Sequence, residues 1–452
     1  MIQRMKSKSA ARSNRKDALK KGARSAAARR RRLLMEDLEN RQIMAVDGFG
    51  LPLADASLFA PQAPRNIGTV AAFQVIETET GAGGNDSFLS SLPLPLGTGP
   101  GDEDTIDVSG QMTLSVGGQG NIQTDIDTYR LDLDAGDVLD LAILGSGANL
   151  SVSYANGQTW FSTSLNVGAL GYPDGSPLMN FGNAAAAQVV PETGTYFVTV
   201  APSNTLSNYT LGLRVYRPVI EQAPVGAQQI IYLDLDGGFY PTSDFPAAGL
   251  PFGIVQIQGL QDSLDVLGFV NPPADAVDQI IDYTVTEVEE QLRTLAEDGS
   301  LGSGTNGDFA TSGVPGEYSI VVKNSRDDPD PGNSNPLVSR VIIGSERGNG
   351  FDPGSLFGIA QSIDVGNFRP NEKVLASVEA HAAAVVAYPF DPTVTFADAV
   401  SQQLASTITH EVGHSFGIWH TDGDNLTPNL MDEGSISLND FSLGIGPDGI
   451  FG

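Results

Sequence analysis

The stretch 409-THEVGHSFGIWHTDG-423 holds three of the four histidines in this 452-residue chain. Side chains four residues apart on a helix lie on one face, one turn apart, so His410 and His414 can bind the same metal ion. Gly417 allows the chain to turn sharply after them, because glycine tolerates positive φ, and the returning chain brings in His420. The stretch therefore predicts three nitrogen ligands and one open coordination position, the arrangement of a catalytic zinc site.

The residues before the second histidine predict the helix that carries these ligands. The sequence TVTFADAVSQQLASTITHEVGHSFG, residues 393–417, offers Thr395 as the N-cap and Asp398 as its partner three residues later. Glu411 directly follows the first ligand, where it can hold a metal-bound water and take its proton. Apolar residues at helical spacing form the predicted core stripe: Val400, Leu404, Ile408 and Val412.

The segment HEVGHSFGIWH, residues 410–420, matches H-E-x-x-H-x-x-G-x-x-H at every fixed position. It resembles the signature of the metzincin zinc metallopeptidases, and Met431 in NLMD resembles their methionine turn. The resemblance covers about 225 to 440 and implies an α/β catalytic domain with a twisted sheet and an active-site helix. It also implies Zn²⁺ on the three histidines and Glu411 as general base. Some metzincins have a tyrosine where this chain has Glu433, so oxyanion stabilisation would fall to the zinc or another group.

From about residue 225 the sequence pattern becomes mixed α/β. An amphipathic helix is predicted at 275–295, where apolar residues recur with helical period. In metzincins an edge strand borders the cleft and pairs with extended substrate. Either SRVIIGS or GIAQSID can serve as this strand. The predicted strands are QQIIYLDLDGG at 228–238, EYSIVVKN at 317–324, SRVIIGS at 339–345 and GIAQSID at 358–364.

Residues 106–218 show short alternating runs between turn signals, which predict an all-β sandwich. The segment resembles the bacterial pre-peptidase C-terminal domain, which implies a secreted jelly-roll-like accessory domain beside a protease. Its aspartates Asp125, Asp127 and Asp137 can bind Ca²⁺ or can cap turns. The residues that carry the resemblance are Asp125, Asp127, Tyr129, Ala135, Gly136, Asp137, Gly194, Thr195, Tyr196, Asn208, Tyr209 and Thr210.

Two further polar features lie in the second half of the chain. The loop KNSRDDPDPGNSN, residues 323–335, is either a second Ca²⁺ site or a solvated loop. His381 has no histidine near it in the sequence, and we interpret it as structural. The oxygen ligands that the loop offers are Asp327, Asp328, Asp330, Asn333 and Asn335.

Charge is distributed unevenly along the chain. The first 45 residues hold 14 of the 25 Lys and Arg, which leaves 11 against 50 Asp and Glu in the remainder. An acidic body of this kind repels nucleic acid and anionic membranes. The segment RRLLMEDLENRQIMA at 31–45 resembles an export leader of planctomycete proteins. The alternatives for residues 1–45 are a nucleic-acid-binding arm and a flexible tail.

The amino-acid composition excludes several kinds of catalytic and metal site and gives no sign of a membrane span. The chain has no cysteine, which excludes thiolate metal ligands, cysteine nucleophiles and disulfides. It has no apolar run of about 18 residues, so no transmembrane segment is expected.

The expected organisation is multidomain: a leader at 1–45, a Gly/Pro-rich linker with an ill-defined strand or two at 46–105, a sandwich at 106–218 and a metallopeptidase-like domain at 225–452. With the resemblances, it implies a secreted or cell-surface bacterial zinc endopeptidase that acts on proteins or peptides and binds no nucleic acid. The alternative is an exported adhesion or matrix protein with an inactive metalloprotease-like domain. The open coordination position disfavours a third hypothesis, metal storage or sensing.

Overall fold

The computed structural model describes residues 70–77, 84–96, 103–111, 114–116, 122–145, 148–163, 171–179, 182–202, 208–218, 228–245, 253–266, 274–294, 319–332, 335–346, 357–385, 391, 393–420 and 430–431. In this part of the chain, 19 strands and four α-helices form a β-rich structure of several sheets. None of the helices described there combines the length and the apolar character needed to cross a bilayer. The predicted leader at 1–45 lies outside the described residues.

Two five-stranded sheets are formed by the first twelve strands. One sheet has the order β1-β3-β12-β7-β10 and the other the order β2-β6-β11-β8-β9, while β4 and β5 form a separate hairpin. The strands are β1 (Val70–Ile76), β2 (Leu92–Pro93), β3 (Glu103–Gln111), β4 (Leu114–Val116), β5 (Ile122–Thr124), β6 (Asp127–Leu133), β7 (Val138–Gly145), β8 (Ala148–Tyr154), β9 (Thr159–Thr163), β10 (Ala184–Val189), β11 (Gly194–Pro202) and β12 (Asn208–Tyr216).

The two sheets bury a common apolar core between them. Along β3 every second side chain is buried, which places Ile106 and Val108 in the core. This is the period of a strand with one covered face. The predicted alternation therefore has the expected structural consequence, a sandwich whose inner faces interdigitate. Other members of the core are Leu131, Leu139, Leu141, Ile143, Leu150, Val152, Val198, Leu211 and Leu213.

Two strands of the sandwich come from the range predicted as linker, 46–105. Strand β1 pairs in parallel with β3, and β2 pairs in parallel with β6. The sandwich therefore begins upstream of residue 106. Local composition does not indicate how these strands pair, because residues 77–102 are rich in Gly, Ser and Pro and both pairings are made with distant residues.

A mixed sheet and four helices follow the sandwich. Strand β17 is central, since it pairs in parallel with both β13 and β19, and β18 adds to β19 in antiparallel orientation. The predicted strands correspond to β13, β16, β17 and β18, whereas α1 and α3 were not predicted. The elements are β13 (Gln228–Asp234), β14 (Gly237–Pro241), β15 (Ile254–Gly259), α1 (Leu260–Val266), α2 (Ala274–Thr294), β16 (Ser319–Asn324), β17 (Val338–Glu346), β18 (Gly358–Ala360), β19 (Lys373–Ser377), α3 (Val378–Val385) and α4 (Phe396–Ser415).

Helix α4 is the most deeply placed helix of this part. Its predicted core stripe is fully buried, and it packs against α2 and the sheet. The hydroxyl of Ser401 donates a hydrogen bond to the carbonyl of Ile280 in α2 at 3.2 Å. Burial on this side fixes the rotation of the helix. The apolar residues in this core include Ile280, Val288, Leu292, Val341, Val374, Val400, Leu404, Ile408 and Val412.

Helix α4 starts at the predicted capping box. The Thr395 hydroxyl accepts a hydrogen bond from the Asp398 amide at 3.1 Å, and an Asp398 carboxylate oxygen accepts one from the Thr395 amide at 2.7 Å. Both interactions satisfy amides that have no partner within the helix.

We expect Thr395→Ala to lower the free energy of unfolding by about 1 kcal/mol, because the capping hydroxyl is lost. Thr286→Ala is the matched control. Its hydroxyl is also exposed, but it donates to Asp282 O inside α2 and caps nothing. Chemical denaturation of both variants measures the difference. An equal effect of the two substitutions would contradict the capping role.

Candidate metal centre

The three predicted histidine ligands meet at one point. Their Nε2 atoms are 3.2 Å apart for His410 and His414, 3.2 Å for His410 and His420, and 3.0 Å for His414 and His420. Three nitrogens bound tetrahedrally to one zinc ion at the usual Zn–N length are about 3.3 Å apart. Within the described residues, this is the one group of three or more potential ligands close enough to hold a metal ion.

Two backbone carbonyls fix the orientation of the imidazoles. Nδ1 of His410 lies 2.8 Å from the carbonyl oxygen of Leu430, and Nδ1 of His414 lies 2.8 Å from that of Ile418. A carbonyl oxygen only accepts, so each Nδ1 carries the proton and donates. Each Nε2 therefore presents its lone pair to the common point, as a metal ligand must.

Two of the three histidines, His414 and His420, are held in the neutral form. Burial first, and the neighbouring His410 second, lower the pKa of His414 to about 3. The pKa of His420 is lowered well below its usual value by the same causes, burial and the adjacent imidazoles. Neutral imidazoles that converge on one point are the donors preferred by Zn²⁺ and related divalent metals. The residues present therefore fit a zinc ion.

The turn that delivers His420 requires glycine. Gly417 has φ of 82°, and a Cβ at this position would lie 2.3 Å from Cα of Val365. The amides of Gly417 and Asp364 both donate to the His414 carbonyl, at 2.8 and 2.9 Å. The helix end and the neighbouring segment are thus tied together at a position where no other residue fits.

Met431 packs against helix α4 at Gly413. It is fully buried, and a Cβ on Gly413 would be 2.6 Å from its sulfur. Gly413 was not among the predicted site residues. The sequence offers one indication of its role: a glycine inside a helix lowers helix stability, so its presence between His410 and His414 suggests that a neighbouring group packs closely there.

Glu411 lies against the edge of the sheet. It is 5% exposed, and a Cβ on Gly358 would be 2.8 Å from its Oε1. Gly358 begins β18, which pairs only with β19 among the described strands, whereas β17 has strands on both sides. Of the two candidate edge strands, GIAQSID is therefore the edge and SRVIIGS is interior.

Asp125 and Asp127 lie together in a buried acidic group at the start of β6. Tyr209 donates a hydrogen bond to Asp127 at 2.6 Å. The pKa of Asp127 is raised, chiefly by burial and further by the charges of Asp125 and Asp86, although hydrogen bonds with Glu77 and Tyr209 oppose this. Both aspartates are almost fully buried.

The structure separates Asp137 from the other two predicted aspartates. Asp137 follows the end of β6, the strand that Asp127 begins, so about 20 Å of extended chain lies between them. Its carboxylate accepts from the Asp134 amide at 2.8 Å and pairs with Arg217 at 3.1 Å. Asp137 therefore stabilises a turn, the alternative considered for it.

The acids of the second predicted calcium loop have internal partners. Asp327 accepts from Arg326 and from the Asn324 side chain, and Asp330 is paired with Arg340 at 2.6 Å. Asp328 accepts from the Asn324 amide at 3.2 Å. These ion pairs and turn contacts stabilise the loop. Asn333 lies outside the described residues, and Asn335 accepts from the Leu337 amide.

His381 lies apart from the three convergent histidines. Its Nδ1 donates to the Ser377 carbonyl, its Nε2 accepts from the Thr407 hydroxyl at 2.8 Å, and Phe357 packs edge-on against the ring. Burial lowers its pKa to about 4. It joins α3 to the ligand-bearing helix one turn before Glu411, which matches the structural interpretation.

Comparison with known proteins gives weak similarities only. No protein-family model matches the chain, and no curated protein matches its sequence. The chain is similar to PliG of Aeromonas hydrophila, a periplasmic inhibitor of g-type lysozyme, at 15% identity over 32% of this chain and 99% of that one, with a TM-score of 0.19. It is also similar to the pre-peptidase C-terminal domain of a Bacillus anthracis collagenase, at 16% identity over 27% and 93%, with a TM-score of 0.18. Similarities at these TM-scores carry no argument about activity.

We expect the stabilising effect of His381 to depend on pH. Its folded-state pKa of about 4 lies below the ordinary 6.5, so the unfolded chain binds the proton first as pH falls. The stability advantage of the wild type over His381→Gln is therefore complete above pH 6.5. It decreases between pH 6.5 and 4 by about 1.4 kcal/mol per unit. Denaturation of both metal-free proteins measures it, and an advantage constant over this range would contradict a neutral buried His381.

Proposed function

We propose that this protein is a secreted zinc-dependent endopeptidase with a metzincin-like catalytic domain. The observation that supports it most is the convergence of three Nε2 atoms within 3.2 Å, beside a buried glutamate at the next position after the first ligand. A site that only stores or stabilises a metal needs neither the open fourth position nor the glutamate. The acidic body of the chain favours an extracellular location and peptide substrates over nucleic acid.

The proposed chemistry is hydrolysis of a peptide bond by water. His410, His414 and His420 would hold the ion. A bound Zn²⁺ supplies Lewis acidity, which polarises the scissile carbonyl and makes water more acidic. Glu411 takes the proton from the attacking water and delivers it to the leaving amine nitrogen. Its position against β18 holds the carboxylate between the ligand-bearing helix and the sheet edge.

Substrate binding is proposed at the edge strand β18. Strands at a sheet edge bind extended peptides by main-chain hydrogen bonds, with alternate side chains directed into pockets. Because Gly358 of this strand contacts Glu411, a peptide added there runs past the general base. An extended segment of a protein, rather than a small molecule, is the substrate class that this arrangement favours.

We expect Glu411→Gln to retain one zinc ion per chain and to lose peptide cleavage by about a hundredfold or more, because the general base is removed while the ligands remain. Glu287→Gln, at an exposed acid on α2, is the matched control and keeps full activity. Metal analysis and cleavage of a proteome-derived peptide library measure both properties. Cleavage that persists in Glu411→Gln would contradict the mechanism. Zinc binding without any cleavage by the wild type would instead support the adhesion-protein alternative.

We also propose that Ca²⁺ binds Asp125 and Asp127 at the start of β6, with oxygen atoms other than a third carboxylate completing its shell, since the described residues offer no third carboxylate close enough. Buried carboxylates repel one another unless a cation offsets their charge, and Ca²⁺ prefers carboxylate and carbonyl oxygens. Asp127 is fully buried, and its Oδ2 accepts the hydrogen bond from Tyr209 at 2.6 Å. The charges of Asp125 and Asp86 act on the same carboxylate. Ca²⁺ would join the segment at 85–86 to β6 and so secure the upstream part of the sandwich.

We expect Ca²⁺ to raise the melting temperature of the wild type and to have no such effect on Asp127→Asn. At a concentration of 100 times Kd the ion would stabilise the folded protein by about 2.7 kcal/mol. The matched control is Asp137→Asn, since Asp137 is paired with Arg217 at the other end of β6 and its variant keeps the full response. Calorimetry with and without a chelator measures the shift. A wild type indifferent to Ca²⁺ would exclude the site.

A further inference from the structure

The sandwich contacts the residue next to the third histidine. Trp419 immediately precedes His420, and its Nε1 donates a hydrogen bond to the carbonyl of Ala187 at 2.9 Å. Ala187 belongs to β10, at the end of its sheet in the described strand order. The two residues are 232 positions apart in the chain. A side chain adjacent to a candidate ligand is thus attached to what resembles an accessory unit.

The Trp419 ring also packs on the sandwich side. Tyr172 meets it edge-on with ring centroids 5.9 Å apart, an arrangement that aromatic pairs favour. The contact belongs to an apolar cluster built from both halves of the chain. Its sandwich members are Val138, Ala142, Tyr172, Leu178, Met179, Ala185, Ala187 and Tyr216, and its other members are Ile363, Val365, Phe368 and Trp419.

A second connection leads from the sandwich to the glycine turn. The Tyr216 hydroxyl donates to the Val365 carbonyl at 2.8 Å, and Val365 is the residue whose Cα faces Gly417. The next residue, Gly366, has φ of 81°, and a Cβ there would lie 2.6 Å from a Val138 methyl group. The sandwich therefore contacts residues 365–366, the segment that packs against the turn at Gly417.

The three histidines lie on different parts of the chain. His410 and His414 are on one helix, and each donates its Nδ1 proton to a backbone carbonyl. His420 lies beyond the helix end, after a reversal at Gly417. Its direction depends on the course of residues 417–420, and both contacts of the sandwich act on this course.

We propose that Trp419 is a positioning residue, through which the sandwich holds His420 in line with the other two ligands. The sandwich is then part of the metal centre and not an independent accessory unit. The inference rests on the proposed binding of zinc by the three histidines. It adds that zinc affinity depends on a contact that none of the ligands makes. Contacts that orient a ligand typically change metal affinity 10–100-fold when they are removed.

The test compares the chain's two tryptophans in the full-length protein. Trp419→Phe keeps a ring against Tyr172 and removes the donor to Ala187, and we expect it to weaken zinc binding about tenfold. Trp160→Phe is the matched control, because Trp160 packs on Phe161 and Tyr196 in the other sheet of the sandwich. Its zinc affinity should equal that of the wild type. Competition with a chelator of known affinity measures all three proteins.

Thermal melting distinguishes positioning from general stabilisation. A purely structural role would lower the melting temperatures of the metal-free and zinc-loaded proteins equally. A positioning role reduces the increase that zinc produces. Tyr216→Phe, which removes the bond to Val365 and keeps the ring, supplies an independent variant with an expected loss in the same direction. It also keeps the proposal testable should Trp419→Phe fail to fold.

The outcomes separate this inference from the proposed function. If the wild type binds no zinc, the proposed function fails first. If the wild type binds zinc and both Trp419→Phe and Tyr216→Phe bind it equally well, the positioning role is overturned while the endopeptidase proposal stands. A direct readout uses Trp160→Phe, whose only remaining tryptophan is Trp419. Its fluorescence should change on zinc addition, and a constant signal would count against the coupling.

Discussion

The mutual approach of three imidazole nitrogens is the contact on which the second half of the structure depends. Three lone pairs within 3.2 Å of one another repel, and protonating any of them would add a buried charge beside its neighbours. The surrounding contacts hold them there. Two carbonyls keep the Nδ1 protons of His410 and His414 in place, and the packing of α4 against α2 and the sheet fixes the helix beneath. Such an arrangement is stable where a cation replaces the repulsion with attraction.

Close packing around this point depends on residues without a side chain. Gly413 leaves room for the Met431 sulfur, Gly417 for the Val365 backbone, and Gly358 for the Glu411 carboxylate. At each position a Cβ would lie under 3 Å from its neighbour. At Gly417 the neighbour is backbone, which cannot shift cheaply, whereas at Gly413 and Gly358 it is the side chain of Met431 or Glu411, which would have to leave its place beside the histidines. Glycine costs helix stability at Gly413, yet it lets Met431 pack closely on the helix, next to Leu430, whose carbonyl accepts from His410. The glycines that lower local backbone stability are therefore the ones that allow close packing around the three histidines.

Local signals in the sequence were sufficient for the helix and for the convergence of its histidines. The capping box at Thr395, the apolar stripe and the histidine spacing are all contained within 26 residues, so helix geometry alone relates them. Contacts between residues far apart in the sequence could not be predicted from such local patterns. The parallel pairing of β1 with β3, the isolation of Asp137 from Asp127, and the bond from Trp419 to Ala187 depend on how sheets associate. No period in the sequence records that, and an isolated tryptophan at a variable motif position is ambiguous.

Trp419 belongs to an apolar interface that joins the sandwich to the second half of the chain. A sandwich that made no contact with the second half of the chain would be expected to have polar residues on this face. Instead the face carries Ala185, Ala187 and Tyr216, which are buried. An apolar face of this kind is stable only when covered, and the segment that covers it is the one that bounds the Gly417 turn. The same burial that removes this face from water therefore restricts the path of the third ligand. Packing of the sandwich against residues 363–368 and Trp419 therefore both stabilises the interface and restricts the position of His420.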